Sequence, residues 1–145
     1  TGCSADDFAM TPAALAQTHA AAFTQTRPWS ESEFTDLLKQ RGMILCGDAK
    51  SFILGRIIGD EAEVLTVATH PNHQRQGYAR AQLVQFILQA HTQNVESVFL
   101  EVSENNGAAK SLYYKQGFHK FGHRPQYYYT ADGGKIGADI LRLEI

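Results

Sequence analysis

The chain has 145 residues, 43% of them hydrophobic, and a net charge of −2. That suits one domain with enough apolar material for a core. It excludes the strong basic field of a nucleic-acid binder, and no apolar run is long enough for a membrane helix, so neither nucleic acid nor membrane is expected as a partner. Two cysteines, Cys3 and Cys46, form no C-x-x-C or metal spacing and read as reduced packing residues of a cytoplasmic protein. The polar, acidic first residues do not read as a signal peptide.

A short first strand is expected over Asp6–Met10. Thr11-Pro12 starts a helix, with Thr as N-cap and Pro at the first position, running to about Phe23 with Leu15, His19 and Phe23 on one stripe. Thr24–Pro28 breaks it. Ser30-Glu-Ser-Glu33 is a capping box opening a second helix, which buries Phe34, Leu37 and Leu38 and ends at Gly42. Trp29, just before the cap, reads as a staple onto that helix or as a wall of an acceptor pocket. Strands are expected over Met43–Gly47 and Ser51–Ile58, joined by the turn Asp48–Lys50, and, after a turn at Gly59–Glu61, over Ala62–Thr69, as an antiparallel meander. The helix Tyr78–Gln93 then crosses over to a parallel strand, Ser97–Ser103. The loop Glu104–Gly107 leads to a helix over Ala108–Lys115, closed by Gly117. Phe118–His123 is a strand, Pro125–Gly134 a loop, and Ala138–Glu144 the last strand. A meander with one crossover belongs to the α+β or mixed α/β class, with a mostly antiparallel sheet.

Between the third strand and its crossover helix lies Gln74-Arg-Gln-Gly77-Tyr-Ala79-Arg80. A helix start offers unpaired N–H groups and a partial positive charge, a natural phosphate site. Gly77 and Ala79 let a ligand approach the backbone, and Arg75 and Arg80 add cations. An ordinary strand-to-helix connection would look much the same. The loop has no Gly-Lys-Ser/Thr and no three-glycine dinucleotide fingerprint.

Glu101 lies mid-strand in Val98–Val102, where a carboxylate is costly unless paired or used. Burial favours the protonated carboxyl, toward the behaviour of a general base; a structural ion pair explains the residue equally well. Tyr113, on the next helix, is a core aromatic or a proton donor. Asn106 is an N-cap that can also donate to a bound cofactor. Six histidines lack metal spacing, so no metal is expected. Tyr127–Tyr129 reads as a lid or core edge, and Glu61 and Glu63 as strand-end residues, solvated or lining an acceptor site.

Four segments together resemble the GCN5-related N-acetyltransferases (GNAT): Arg27–Phe34, Val67–Leu83, Leu100–Phe118 and Tyr127–Gly133. More narrowly they resemble the ribosomal-protein-alanine type. The third is the most specific, through its E-V-x-x-x-N-x-x-A-x-x-L-Y spacing. The resemblance implies the GNAT fold: a twisted sheet of six or seven strands, one parallel crossover and about four helices. It implies acetyl-coenzyme A as cosubstrate, with Val67, Ala68 and Thr69 along its pantetheine arm, Arg75, Gln76, Gly77, Tyr78, Ala79 and Arg80 around its diphosphate, and Asn106 in contact. It also implies Glu101 as base and Tyr113 as acid in direct transfer to a protein N-terminal amine or a small amine. Trp29, Glu61 and Tyr128 are candidates for the acceptor side, and a monomer or weak dimer is expected. Two departures from the narrower family, a longer Thr24–Arg27 connection and a less acidic Gly133–Gly137 loop, both fall where the acceptor should bind.

Overall fold

The computed structural model describes residues 10–23, 27–130 and 132–145. The strand expected over Asp6–Met10 lies, apart from Met10, outside them, as do residues 24–26 of the break. Helix α1 (Pro12–Ala22) opens as its sequence requires: the Thr11 hydroxyl accepts from the Ala14 N–H at 3.1 Å. Helix α2 (Glu31–Leu38) opens on the capping box, with Glu33 N–H donating to Ser30 Oγ at 3.2 Å and Ser30 N–H to Glu33 Oε1 at 3.0 Å. Trp29 packs on Phe34 at 5.5 Å between centroids, the staple geometry. The helix stops at Leu38, short of Gly42. Gly42 instead turns the chain at φ +77°, where a Cβ would come within 2.7 Å of the Ile57 carbonyl.

Strands β1 (Met43–Asp48), β2 (Ser51–Ile58) and β3 (Glu61–Thr69) form the antiparallel meander. Asp48 Oδ1 ties its first turn by accepting from the N–H groups of Lys50 and Ser51 at 2.9 and 3.0 Å. A 3-10 turn at Pro71–His73 precedes α3 (Tyr78–Thr92), which crosses to β4 (Ser97–Ser103), parallel to β3. Helix α4 (Gly107–Lys115) leads to β5 (His119–Tyr129) and β6 (Lys135–Glu144). The sheet order is β1-β2-β3-β4-β6-β5, antiparallel except at β3–β4. The expected mixed architecture stands.

One apolar layer packs Leu83 and Phe86 of α3 and Tyr113 of α4 against Ile53, Val98, Leu100 and Leu141; the other packs Leu15 of α1 and Phe34 of α2 against Phe52, Leu54 and Ala68. The register of β3 joins them. Leu54 pairs with Thr66 but Gly55 with Val64, so Leu65 is a bulge residue. The extra residue reverses which face each side chain takes. Val64 belongs to the first layer and Ala68 to the second, although β3 alternates without a break in sequence. Pairing between β3 and β4 ends at the same level, with Val64 opposite Leu100.

The sequence reading of β5 needs correction. The strand does not end at His123; it continues through Pro125 to Tyr129, and β6 begins at Lys135 rather than Ala138. Arg124 pairs with Ala138 and Tyr128 with Ile136, so two extra β5 residues arch between these pairs. Pro125 sits in that arch, on an edge strand, where its missing N–H breaks no ladder. Gln126 takes φ +51° there.

Candidate active site

The end of β3 and the start of α3 build the loop that the motif anticipated. Gln74 Nε2 donates to the Thr69 carbonyl at 2.9 Å, and Gln76 Nε2 to the Asn72 carbonyl at 3.3 Å, so both glutamine side chains fold the loop onto itself. Arg75 at φ +62° and Gly77 at φ +82° both take the left-handed conformation. No side chain caps α3, so the amides at Tyr78, Ala79 and Arg80 open its N-terminus uncapped. A Cβ built on Gly77 meets nothing within 4 Å, and Arg75 and Arg80 are exposed. An uncapped helix start, an open approach and two cations fit a diphosphate. The adjoining strand fits an extended arm. Val67 packs against the first core layer, Ala68 is buried in the second, and the Thr69 hydroxyl pairs with Ser51 Oγ at 2.9 Å. Beyond Val64, therefore, β3 offers its main-chain edge to the gap left by β4.

Glu101 stands one residue past the last β3–β4 pair, on the opposite bank of that gap. Its side chain is 14% exposed and its Oε1 lies 2.9 Å from Arg124 Nε; the Arg124 side chain is 54% exposed. The guanidinium also lies over the Tyr127 ring, 5.1 Å from its centroid. Burial, then the Glu101 carboxylate beside it, pushes the Tyr127 phenol up. The Tyr128 hydroxyl donates to the Glu101 carbonyl at 3.1 Å. Burial, then the charge of Glu101 and the nearby Tyr127 and Tyr113 phenols, pushes the Tyr128 phenol up. Tyr113 is buried against Phe118, and burial raises its phenol pKa, so it keeps its proton throughout the neutral range.

Glu101, Tyr128 and Tyr113 thus come together, Tyr128 bonding the Glu101 carbonyl and lying within electrostatic reach of the Tyr113 phenol. Asn106 caps α4 by accepting from the Ala109 N–H at 3.2 Å. Its loop is pinned: Lys110 Nζ donates to the Glu104 carbonyl at 2.7 Å and pairs with Asp139 at 3.2 Å, while His123 lies between Asp139 at 2.9 Å and Glu104 at 3.4 Å. The bond from His123 leads the interactions that hold the Asp139 carboxyl below its usual range. Glu61 is set apart. It pairs with Arg142 at 3.1 Å beside Ser97, four residues and ~13 Å along β4 from Glu101. Glu63, which pairs with Arg56 at 3.2 Å, lies nearer, and its charge reaches Tyr127. Trp29 is linked to β3 through His19, whose Nδ1 accepts from the Trp29 N–H and whose Nε2 bonds Thr66 Oγ1, each at 3.0 Å. Among the described residues no cluster of three or more His, Cys, Asp or Glu could hold a metal ion, and no helix is long and apolar enough to cross a membrane.

The sequence reading missed Arg124 and the arch after it, because Arg124 falls between a strand ended at His123 and a loop opened at Pro125. The available signal was Glu101 itself: a carboxylate in a central strand demands a cation from an adjacent segment.

The acetyltransferase (GNAT) family model matches residues 14–118. The [ribosomal protein bS18]-alanine N-acetyltransferase of Escherichia coli K12 is 34% identical over 122 residues, 81% of this chain and 82% of that protein. The crystal structure of the ribosomal-protein-S18-alanine N-acetyltransferase from Escherichia coli superposes with a TM-score of 0.83 at 31% identity, covering 92% of this chain and 87% of that one. For the fold alone, yncA of Salmonella typhimurium, solved with acetyl-CoA, matches with a TM-score of 0.71 at 19% identity over 90% of this chain and 85% of its own. An open helix start, a β3 edge freed beside β4 and a matching family model agree: the chain belongs to the acetyltransferase (GNAT) family and is an acetyl-CoA-dependent N-acetyltransferase similar to the ribosomal-protein-alanine enzymes.

Proposed function

We propose that the acceptor is the α-amine of a protein N-terminus, an N-terminal alanine of a small-subunit ribosomal protein, and that Glu101 and Tyr113 are the base and the acid. The observation that carries this reading is the parting of β3 and β4 after Val64 and Leu100, which faces a free strand edge toward Glu101 across one gap. The similarity to the bS18-alanine enzyme supports the acceptor class.

When bound, acetyl-coenzyme A supplies an activated acetyl group. The chain's own residues do the rest. The amides at Tyr78, Ala79 and Arg80, with Arg75, hold the diphosphate, and the main chain of Val67–Thr69 aligns the arm. Asn106 is placed by its capping bond at the mouth of α4. An α-amine with a pKa near roughly 8 is partly ammonium at neutral pH, and Glu101 takes the proton that blocks its attack. Tyr113, kept protonated by burial, returns a proton to the leaving sulfur. Tyr128 braces the Glu101 main chain and lines the acceptor side with Tyr127. With a ribosomal-protein acceptor the enzyme acts in the cytoplasm, and it is proposed as a monomer or weak dimer.

The test follows thiol release from acetyl-coenzyme A with an Ala-starting peptide, with a polyamine, and with no acceptor. Turnover with the peptide alone is expected. Turnover with the polyamine alone overturns the acceptor class in favour of a small amine, and binding without turnover across an acceptor panel overturns the enzymatic roles of Glu101 and Tyr113.

A further inference from the structure

The ion pair at Glu101 is lopsided. Glu101 is a strand residue with its side chain 14% exposed, whereas Arg124 is 54% exposed and projects from the end of the β5 arch. Arg124 is the last β5 residue paired before an arch of two extra residues with a left-handed Gln126, whereas Glu101 sits within a run of β4 paired with β6 without a break. The Nε of Arg124 approaches Glu101 Oε1 at 2.9 Å, with the guanidinium resting over Tyr127. Turning the half-exposed guanidinium out into solvent costs Arg124 itself little. Leaving the nearly buried carboxylate without any cation costs much more.

We propose that Arg124 is a displaceable cation holding the acceptor ammonium's place on Glu101, so that acceptor binding exchanges one cation for another. Arg124 is then a specificity-determining residue. A neutral ligand cannot drive the exchange, because it would strand the carboxylate; an α-ammonium can. This rests on Glu101 being the acceptor-side carboxylate.

The test observes Arg124 itself. The Nε–H resonance of Arg124 in the ¹⁵N-labelled full chain, assigned by its loss in R124K, is titrated with L-alaninamide and, separately, with N-acetyl-alaninamide, which has no ammonium. Alaninamide is expected to move the resonance saturably toward that of free arginine, and the acetylated analogue to leave it in place. E101Q should place it near the free-arginine position without any ligand. With an Ala-starting peptide, R124Q should lower acceptor KM about threefold while kcat and acetyl-coenzyme A KM hold, and R124K should fall between. A resonance that ignores alaninamide at saturating concentration, or an R124Q variant whose acceptor KM rises, overturns the exchange. Full activity in E101Q overturns the base assignment instead, and the titration still answers for Arg124.

Discussion

At the scale of single residues, the proposed reaction rests on two side chains kept in different surroundings. Glu101 meets a guanidinium and borders solvent; Tyr113 is a buried phenol of α4 that keeps its proton. Glu101→Gln preserves shape and removes the proton acceptor. It should lower kcat/KM by about 100-fold or more, while coenzyme A affinity measured by calorimetry changes little. Tyr113→Phe keeps the ring against Phe118 and removes one hydroxyl. It should lower kcat by at least about tenfold and leave the melting temperature nearly unchanged, a pairing that a purely structural tyrosine would not give. Both residues were singled out in the sequence through the spacing that carries the family resemblance. Arg124 was not, because its pairing with Glu101 spans strands that only the sheet brings together.

At the scale of elements, the proposed cofactor site is a helix start left uncapped. Gly77 serves it twice: its φ of +82° turns the chain into α3, and the space where a Cβ would go is open. Gly77→Val should cost about 1–2 kcal/mol in conformational strain, read as a modest fall in melting temperature. It should raise acetyl-coenzyme A KM about tenfold or more while acceptor KM holds, since the added methyls stand where the diphosphate approaches. The strands teach the opposite lesson. Pro125 reads locally as the start of a loop, yet the strand runs on through a left-handed Gln126 because the irregularity sits on an edge and pairing with β6 resumes at Tyr128.

At the scale of the whole molecule, His19 ties the second layer together. It is 1% exposed, stacked on Phe23 at 3.9 Å and Trp29 at 5.1 Å, and bonded to Trp29 on one side and Thr66 on the other. Because Nδ1 accepts from a backbone N–H, Nε2 carries the proton and the ring is neutral. Burial above all lowers its pKa to about 4. The unfolded chain, titrating near 6.5, therefore binds the proton more readily. Stability should be complete above about pH 6.5 and decline as pH falls toward 4, by on the order of 3 kcal/mol in total. Urea unfolding at pH 7.5 and pH 4.5 measures this. In His19→Gln the fall across that interval should be smaller by about that amount, and an unchanged fall would remove His19 as its source.

The local features could be read from the chain alone. The Thr11 and Ser30–Glu33 caps, the Asp48 turn, the glycine loop before α3 and the spacing from Glu101 to Tyr113 each depend on residues near one another in sequence, so their chemistry is complete within a short segment. Three features came from tertiary structure: the bulge at Leu65 that moves β3 from one layer to the other, the gap it opens beside β4, and the guanidinium on Glu101. Each is a balance between segments remote in sequence, settled by which strands pair and in what register. A pattern with period two cannot encode that, because an inserted residue leaves the alternation intact while exchanging the faces.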